Sequence, residues 1–208
     1  MAILKIARMG HPVLVARARA IEDPTAAEVR SLAADMIATM RDADGIGLAA
    51  PQVHVSKRLI VFLDASTREE TAAAAAREPV VLVNPEIEPL DDGDGGAMAL
   101  GWEGCLSIPG LKGLVPRHAR VRYRGLGLDG RPIEREAEGL HARVVQHEVD
   151  HLDGVLYPMR MPDLRLLTFE SEMKHFAALL RRQEEEEEEE KEQQQQQQQQ
   201  RRPEGGDE

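Results

Sequence analysis

The chain has little cysteine, no long apolar run and no excess of basic residues. Its single cysteine, Cys105, excludes a disulfide within the chain, so this residue is either a small buried hydrophobe or a chemically active group. No stretch reaches the roughly 18 apolar residues that a membrane-spanning helix needs. The first residues show neither the apolar core nor the cleavage site of a signal peptide, and we therefore expect a cytoplasmic protein.

The acidic charge is concentrated at the C-terminal end. The formal net charge is −11, but residues 184–208 contain 11 acids and 3 bases, which leaves residues 1–183 with only −3. This body lacks the basic excess of a protein that coats nucleic acid. The runs of Glu at 184–190 and of Gln at 193–200 offer no apolar surface to offset the entropy of ordering them. We predict one folded domain over residues 1–183 and a disordered Glu/Gln-rich tail over residues 184–208.

Apolar periodicity predicts a helix near each end of this domain. Asp23 as N-cap and Pro24 at the first helical position begin a helix that ends near residues 43–45. Its buried stripe comprises Val29, Leu32, Met36, Ile37 and Met40. A second amphipathic helix is predicted over residues 164–180, with an inner face of Leu166, Leu167, Phe169, Met173, Phe176, Ala177 and Leu180.

Short β-branched runs between these helices predict strands. We expect buried strands over residues 58–63 and 80–85, the second ended by Pro85, and a further strand over residues 114–123. A turn at Asp129-Gly130 then returns another extended segment as a hairpin.

The sequence His-Glu-Val-Asp-His begins at His147 and has the H-E-x-x-H pattern. In a helix, His147 and His151 lie one turn apart on one face and can share a divalent ion, with Glu148 beside them to handle the proton of a bound water. A helix is favoured by the stop signal at residues 153–154. It is also favoured by an apolar set at helical spacing, which comprises Leu140, Val144, Val145, Val149 and Leu152. Taken alone, the same pattern also occurs on ordinary surface helices.

Two other stretches combine glycine with polar or reactive side chains. Residues 45–52 read Gly-Ile-Gly-Leu-Ala-Ala-Pro-Gln, which is either a tight turn after a helix or a backbone that passes close to a ligand. Residues 103–107 read Glu-Gly-Cys-Leu-Ser and contain the only cysteine.

Together, residues 45–52, 103–107 and 147–154 resemble the three signature stretches of the peptide deformylase family in order and in spacing. The resemblance covers about residues 3–170. We expect an α+β fold in which short antiparallel sheets wrap around a central H-E-x-x-H helix, with an N-terminal and a C-terminal helix packed outside.

The resemblance implies a hydrolase with one divalent metal ion, held by Cys105, His147 and His151. Three protein ligands leave an open position for water, which attacks a formyl carbon while Glu148 acts as general base and then as general acid. The Gln52 amide and the Leu106 backbone N–H would stabilise the oxyanion. This ligand set suits Fe²⁺, Zn²⁺, Ni²⁺ or Co²⁺, and the family implies Fe²⁺ in the cell.

The implied substrate is the formyl group on the N-terminal methionine of a newly made polypeptide. Ile46, Gly47 and Gly104 would hold the peptide backbone in an extended pose. The methionine side chain would enter an apolar pocket that includes Ile46, Leu140 and Val144. The expected partner is therefore the N-formyl-methionyl nascent chain. We expect no binding to a membrane and no sequence-specific binding to nucleic acid. The protein is expected to be a monomer.

Several surrounding residues have supporting or unassigned roles. Glu103 and Arg117 are predicted to form a structural ion pair. Two positions depart from the family pattern. Family members often have an apolar residue in place of Arg143 and an arginine in place of Lys112. A contact with the ribosome, or an ordinary solvated helix side, is predicted for a basic face formed by Arg160, Arg165, Lys174, Arg181 and Arg182.

Two other functions compete with this interpretation. A peptidase of the H-E-x-x-H class would share the water activation but would usually take a third ligand from a downstream Glu or His, whereas here the candidate is the upstream Cys105. A non-enzymatic metal-binding or ribosome-docking module would be expected to lack Glu148 or Gln52, and both are present.

Overall fold

Antiparallel strands and two longer helices build the part of the chain that the computed structural model describes, which is residues 1–64, 78–90, 97–176 and 178. The helices are α1 (Ala27–Asp42) and α2 (Gly139–Leu152). The strands are β1 (Gly47–Ala49), β2 (Leu59–Leu63), β3 (Pro79–Pro89), β4 (Met98–Cys105), β5 (Ile108–His118), β6 (Arg120–Leu126), β7 (Pro132–Glu138) and β8 (Leu167–Phe169). The predicted α+β class is confirmed.

The chain divides into two compact units, Met1–Leu167 and Thr168–Glu208. The first unit contains every residue predicted to belong to the site. Among the described residues, no helix is long and apolar enough to cross a membrane.

An antiparallel sheet in the order β1-β2-β3-β6-β7 forms one side of the fold. The predicted strand over 58–63 is confirmed as β2, but β3 does not end at Pro85 as predicted. It continues to Pro89 through a register shift between Val83 and Glu86. Asn84 accommodates this irregularity at a φ of 50°, and its side-chain amide bonds both the N–H and the carbonyl of Ile21. A proline is tolerated in a strand at such a bulge.

The predicted strand over residues 114–123 is wrong as a single element. The chain leaves β5 after His118, passes Ala119 and enters β6 at Arg120. Strand β5 pairs with β4, whereas β6 pairs with β3 and β7 in the other sheet. Both halves are extended and mix apolar with basic residues, so residue type alone does not reveal that they belong to different sheets. The hairpin predicted around residues 129–130 is confirmed between β6 and β7.

Helix α2 lies at the centre and is buried along most of its length. It contacts both sheets, including β1, β2, β5 and β7. Its apolar residues join the main core, which comprises Ala142, Val144, Val145, Val149 and Leu152 together with Ile60, Phe62, Leu82, Val121 and Tyr123. The prediction of a central H-E-x-x-H helix wrapped by strands is therefore confirmed, and the strands hold this helix from several sides.

Helix α1 begins three residues later than the predicted first helical position. Ala26 precedes its first turn, and no side chain caps it. Asp23 instead closes a local turn, in which its Oδ1 accepts hydrogen bonds from the N–H and the hydroxyl of Thr25. The short aspartate side chain thus competes with helix capping by bonding its own neighbours. The predicted end of the helix near residue 43 is confirmed.

The C-terminal helix predicted from residue 164 begins later. Leu164–Leu166 and Glu170–Glu172 are 3₁₀ turns on either side of β8, and residues 173–176 are helical. Asp163 Oδ1 accepts a hydrogen bond from the N–H of Arg165 at 2.8 Å, which favours a tight turn over an α-helix at this point. The rest of the predicted helix, apart from residue 178, and the whole predicted tail lie outside the described residues.

Candidate metal centre

Helix α2 presents both histidines of the H-E-x-x-H pattern on one face. The rings of His147 and His151 are 5.0 Å apart between centroids, as the i, i+4 spacing predicts. His147 is 9% exposed and His151 is 1% exposed. The two imidazoles therefore lie side by side in the interior of the protein.

Cys105 reaches these histidines from the end of β4. A register shift between Gly104 and Cys105 closes the β4–β5 ladder and turns the chain toward α2. The Cys105 Sγ lies 3.2 Å from His151 Nε2, and the ligand atoms of Cys105, His147 and His151 all lie within 4.8 Å of one another. A residue some forty positions upstream thus completes a three-donor cluster.

The chemistry of this cluster fits a divalent transition metal. The Nδ1 of His147 is 2.8 Å from Glu103 Oε2, which leaves Nε2 of that ring for an ion. Burial lowers the pKa of His151 well below its usual value and so favours the neutral imidazole that a metal needs. One thiolate and two imidazoles suit zinc, iron, cobalt or nickel, and three protein donors leave a coordination position open.

Glu148 lies beside this cluster with an unsatisfied oxygen. Its side chain is 5% exposed, and Oε2 has no hydrogen-bond partner among the described residues. Burial raises the pKa of Glu148 to about 7, a value suited to accepting and releasing a proton near neutral pH. Gly47 of β1 faces this carboxylate so closely that a Cβ at residue 47 would overlap its Oε1. The glycine is needed for this approach.

The side chain of Gln52 is fixed with its amide nitrogen toward Cys105. Its Oε1 accepts the N–H of Ala49 at 2.8 Å, and its Nε2 donates to Ser107 Oγ at 3.2 Å and lies 3.5 Å from Cys105 Sγ. Leu106 follows Cys105 in the chain, and its carbonyl accepts a hydrogen bond from Arg8 Nη1 at 2.6 Å. Both predicted oxyanion donors thus belong to segments that adjoin the cysteine.

A buried ion-pair network supports the cluster from behind. The predicted pair is confirmed: Arg117 Nε and Nη2 donate to the two oxygens of Glu103 at 2.9 and 3.0 Å. Burial alone would raise the pKa of Glu103, but the hydrogen bonds from His147 and Arg117 outweigh it and lower the pKa to about 2. The ionised carboxylate therefore fixes the orientation and tautomer of the His147 ring.

Sequence reasoning missed two further members of this network. Asp150 accepts hydrogen bonds from both Arg117 and Arg160, and Arg143 donates to Glu103. Asp150 lies inside the H-E-x-x-H pattern itself, so a buried acid at that position was a signal that a basic partner was near. The sequence marked Arg143 as a departure from the family pattern, but its position within the apolar set of α2 does not indicate what it contacts.

The residues predicted to bind substrate differ in exposure. Ile46 and Leu140 are 45% and 57% exposed, whereas Val144 is buried. Gly104 is covered by the Lys112 side chain, since a Cβ at residue 104 would lie 2.8 Å from Lys112 Nζ. The two exposed apolar side chains are available to a ligand, whereas Val144 belongs to the main core.

A cluster of three potential metal ligands with an adjacent buried carboxylate, at the centre of an α+β fold, is typical of the metal-dependent hydrolases of the H-E-x-x-H class. The model of the polypeptide deformylase family matches residues 3–166, and the chain belongs to that family. Enzymes of this family remove the N-formyl group from newly made polypeptides, and this chain is a metallohydrolase of that activity.

Named relatives are similar over most of the chain. "Peptide deformylase 1" of Xanthomonas campestris pv. campestris is 49% identical over 174 residues, which are 83% of this chain and 98% of the relative. "Peptide deformylase 1" of Bordetella pertussis is 51% identical over 160 residues, 76% of this chain and 88% of the relative.

Solved structures agree with this relationship. A class I type b peptide deformylase from Acinetobacter baumannii matches with a TM-score of 0.68 and 37% identity, over 77% of this chain and 100% of that one. The peptide deformylase of Synechococcus elongatus in complex with actinonin matches with a TM-score of 0.67 and 38% identity, over 78% and 81% of the two chains.

The supporting role of Glu103 can be measured. We expect Glu103→Gln to weaken metal binding by about 10-fold to 100-fold, because the neutral amide no longer polarises His147 and leaves the buried guanidinium of Arg117 short of an acceptor. Competition with a chelator measures the affinity. Glu86→Gln is the control, since its carboxylate is 65% exposed and pairs with Arg124 at the surface. Equal metal affinity in both variants would contradict the role of Glu103.

Proposed function

We propose that Cys105, His147 and His151 hold one divalent metal ion, and that Glu148, Gln52 and Leu106 carry out the deformylation around it. The observation that carries this proposal is the convergence of the sulfur and the two imidazoles to within 4.8 Å of one another. A bound ion would supply a water molecule of lowered pKa at its open position.

Glu148 is the group that moves the protons. Its carboxylate accepts a proton as water oxygen adds to the formyl carbon. It then donates a proton to the methionyl nitrogen as the carbon–nitrogen bond breaks, so that formate and a free N-terminal amine leave. The unpartnered Oε2 and the pKa of about 7 support both halves of this cycle.

Gln52 and Leu106 stabilise the charge that builds on the formyl oxygen. The Ala49 N–H holds the Gln52 Oε1, so the Gln52 Nε2 stays directed toward the Cys105 side of the site. The Leu106 N–H adjoins Cys105 in the chain. Two fixed donors near the reacting carbon cost little reorganisation during the reaction.

The substrate is held as an extended chain with its methionine side chain in an apolar pocket. Ile46, Gly47 and Gly104 supply backbone groups for the peptide, and Ile46, Leu140 and Val144 line the pocket. The exposure of Ile46 and Leu140 supports this assignment, since large apolar side chains at a site edge offer area to a ligand. A Met-Ala-Ser-bound structure of the 36% identical Acinetobacter baumannii enzyme also supports it.

Formate release separates this function from that of a peptidase of the same metal class. The protein is expected to release formate from an N-formyl-methionyl tripeptide and to leave internal peptide bonds of longer, unformylated peptides intact. Internal cleavage without formate release would contradict the proposal.

The role of Glu148 is tested by Glu148→Ala. This change should preserve the bound metal and lower the rate of formate release by about 10² to 10⁴-fold, because it removes the carboxylate that carries the proton. Metal content and formate are measured on one sample. Glu88→Ala, an exposed surface carboxylate, is the control and should keep the wild-type rate. Retained turnover in Glu148→Ala would remove it as the base.

We also propose that the ion in the cell is Fe²⁺. Purification without oxygen, followed by metal analysis and formate assay of the same preparation, should find iron. Removal of the ion with a chelator should abolish formate release, and Fe²⁺ should restore it to a higher rate than Zn²⁺. An equal or higher rate with Zn²⁺ would contradict this choice, since the donor set itself accepts either ion.

We further propose a cytoplasmic monomer with a catalytic domain over residues 1–183, a disordered tail over residues 184–208, and a ribosome contact through the basic C-terminal segment. The described basic residues only partly support this contact. Arg160 pairs with Asp150 and Arg165 pairs with Asp163. Lys174 is exposed on the helical residues 173–176, and Arg181 and Arg182 lie outside the described residues.

Truncation after residue 183 tests the limits of this domain. The shortened chain should release formate from short peptides at the wild-type rate, since every site residue precedes residue 168. It should also sediment as a monomer and pellet with ribosomes as well as the full chain does, because the removed segment is strongly acidic. A loss of activity would show that the tail belongs to the catalytic domain, and a loss of pelleting would assign the ribosome contact to it.

A further inference from the structure

Arg143 lies near the proposed metal ligands and makes four hydrogen bonds, but the proposed chemistry does not use it. It lies on α2 one turn before His147, and its side chain is only 12% exposed. Its Nη1 donates to Glu103 Oε1 and to the Val115 carbonyl, each at 2.8 Å, and to the Gly101 carbonyl at 3.3 Å. Its Nη2 donates to the Ala99 carbonyl at 2.6 Å. One guanidinium therefore joins α2 to both β4 and β5.

The sheet is shaped to receive this group. A Cβ built on Gly101 would lie 2.7 Å from both Cζ and Nη2 of Arg143, which is closer than two such atoms approach in real structures. The guanidinium thus occupies the space where any other residue at position 101 would place its side chain. Gly101 and Arg143 form a matched pair across the interface between β4 and α2.

The three proposed metal ligands come from both sides of this same interface. Cys105 approaches from β4, four residues beyond Gly101, and His147 approaches from α2, four residues beyond Arg143. Metal–sulfur and metal–nitrogen bonds are short, about 2.0 to 2.3 Å, so a small shift between strand and helix changes the fit of the ion. A contact that fixes the position of β4 relative to α2 therefore also fixes the spacing of the proposed metal ligands.

We propose that Arg143, seated on Gly101, is a positioning residue that sets the distance between the cysteine-bearing strand and the histidine-bearing helix. The inference rests on the proposed metal ligands. It assigns to Arg143 a geometric role, since Arg117 already neutralises Glu103 through two hydrogen bonds. What Arg143 adds is its set of bonds to the backbone of β4 and β5, which only a planar, multiply donating group can make at once.

A double-mutant cycle with Co²⁺ as the probe tests the pair. Co²⁺ bound by one thiolate and two imidazoles has absorption bands that report the ligand arrangement, so affinity and spectrum are read without any assay of activity. We expect Arg143→Met and Gly101→Ala each to weaken Co²⁺ binding by about 10-fold to 100-fold and to shift these bands.

The double variant should bind Co²⁺ no more weakly than Arg143→Met alone, because the new methyl group at position 101 then meets no guanidinium. Arg143→Lys should fail to restore the wild-type spectrum, since one ammonium can take the place of Nη1 but cannot at the same time replace Nη2, which bonds the Ala99 carbonyl. Arg124→Met, which removes an exposed arginine paired with Glu86, is the matched control and should leave binding unchanged.

Unfolding by urea is measured on every variant. Lower stability with unchanged Co²⁺ affinity and spectrum would show a purely structural role and overturn the inference, as would additive effects in the cycle or full rescue by lysine. If Arg143→Met does not fold, the spectrum of Gly101→Ala alone decides between these outcomes. A wild-type protein that binds Co²⁺ without a thiolate band would instead overturn the proposed metal centre itself.

Discussion

The carboxylate of Glu103 is the interaction on which the rest of the site depends. It is 5% exposed and accepts hydrogen bonds from His147, Arg117 and Arg143. Moving a carboxylate out of water costs several kcal/mol, which only good geometry with several donors can offset. Because Glu103 lies on β4 two residues before Cys105, the same carboxylate that orients the His147 imidazole also belongs to the strand that carries the cysteine. The strand and the helix are therefore joined beside the cluster of Cys105, His147 and His151.

Arg117 extends this junction to the other side of α2. It bonds Glu103 on one side and Asp150 on the other, and Asp150 also accepts a bidentate pair from Arg160. A buried charge that loses one partner is strongly destabilising, so each member holds the others in place. The surroundings of α2 consequently combine an apolar core with a buried ionic network beside the cluster of Cys105, His147 and His151. This combination leaves the helix little freedom to rotate or slide, which suits a cluster whose three donor atoms lie within 4.8 Å of one another.

The chemistry of the site could be predicted from the sequence more completely than its geometry. The spacing of His147 and His151 is a property of the helix itself, and the confirmed pair of Glu103 and Arg117 is a simple match of opposite charges. The errors arose where distant contacts decide the outcome. Pro85 passes through a bulge because the Asn84 side chain binds Ile21, and the extended run around Ala119 divides because its two halves pair with different strands. Local propensity contains no information on which strand will be the neighbour.

Arg143 shows why a signature alone does not define a working metal site. The three signature stretches contain the proposed ligands, the proposed base and the proposed oxyanion donors, but they do not include the residue that we propose fixes one stretch against another. Arg143 occupies a position where the apolar pattern of α2 favours a hydrophobic residue. The residue against which its guanidinium packs is Gly101, which none of the three signature stretches includes. A chain with identical signatures but without a complementary pair at positions 101 and 143 would need another contact between β4 and α2. Metal affinity is therefore expected to vary among such chains more than their shared catalytic residues indicate.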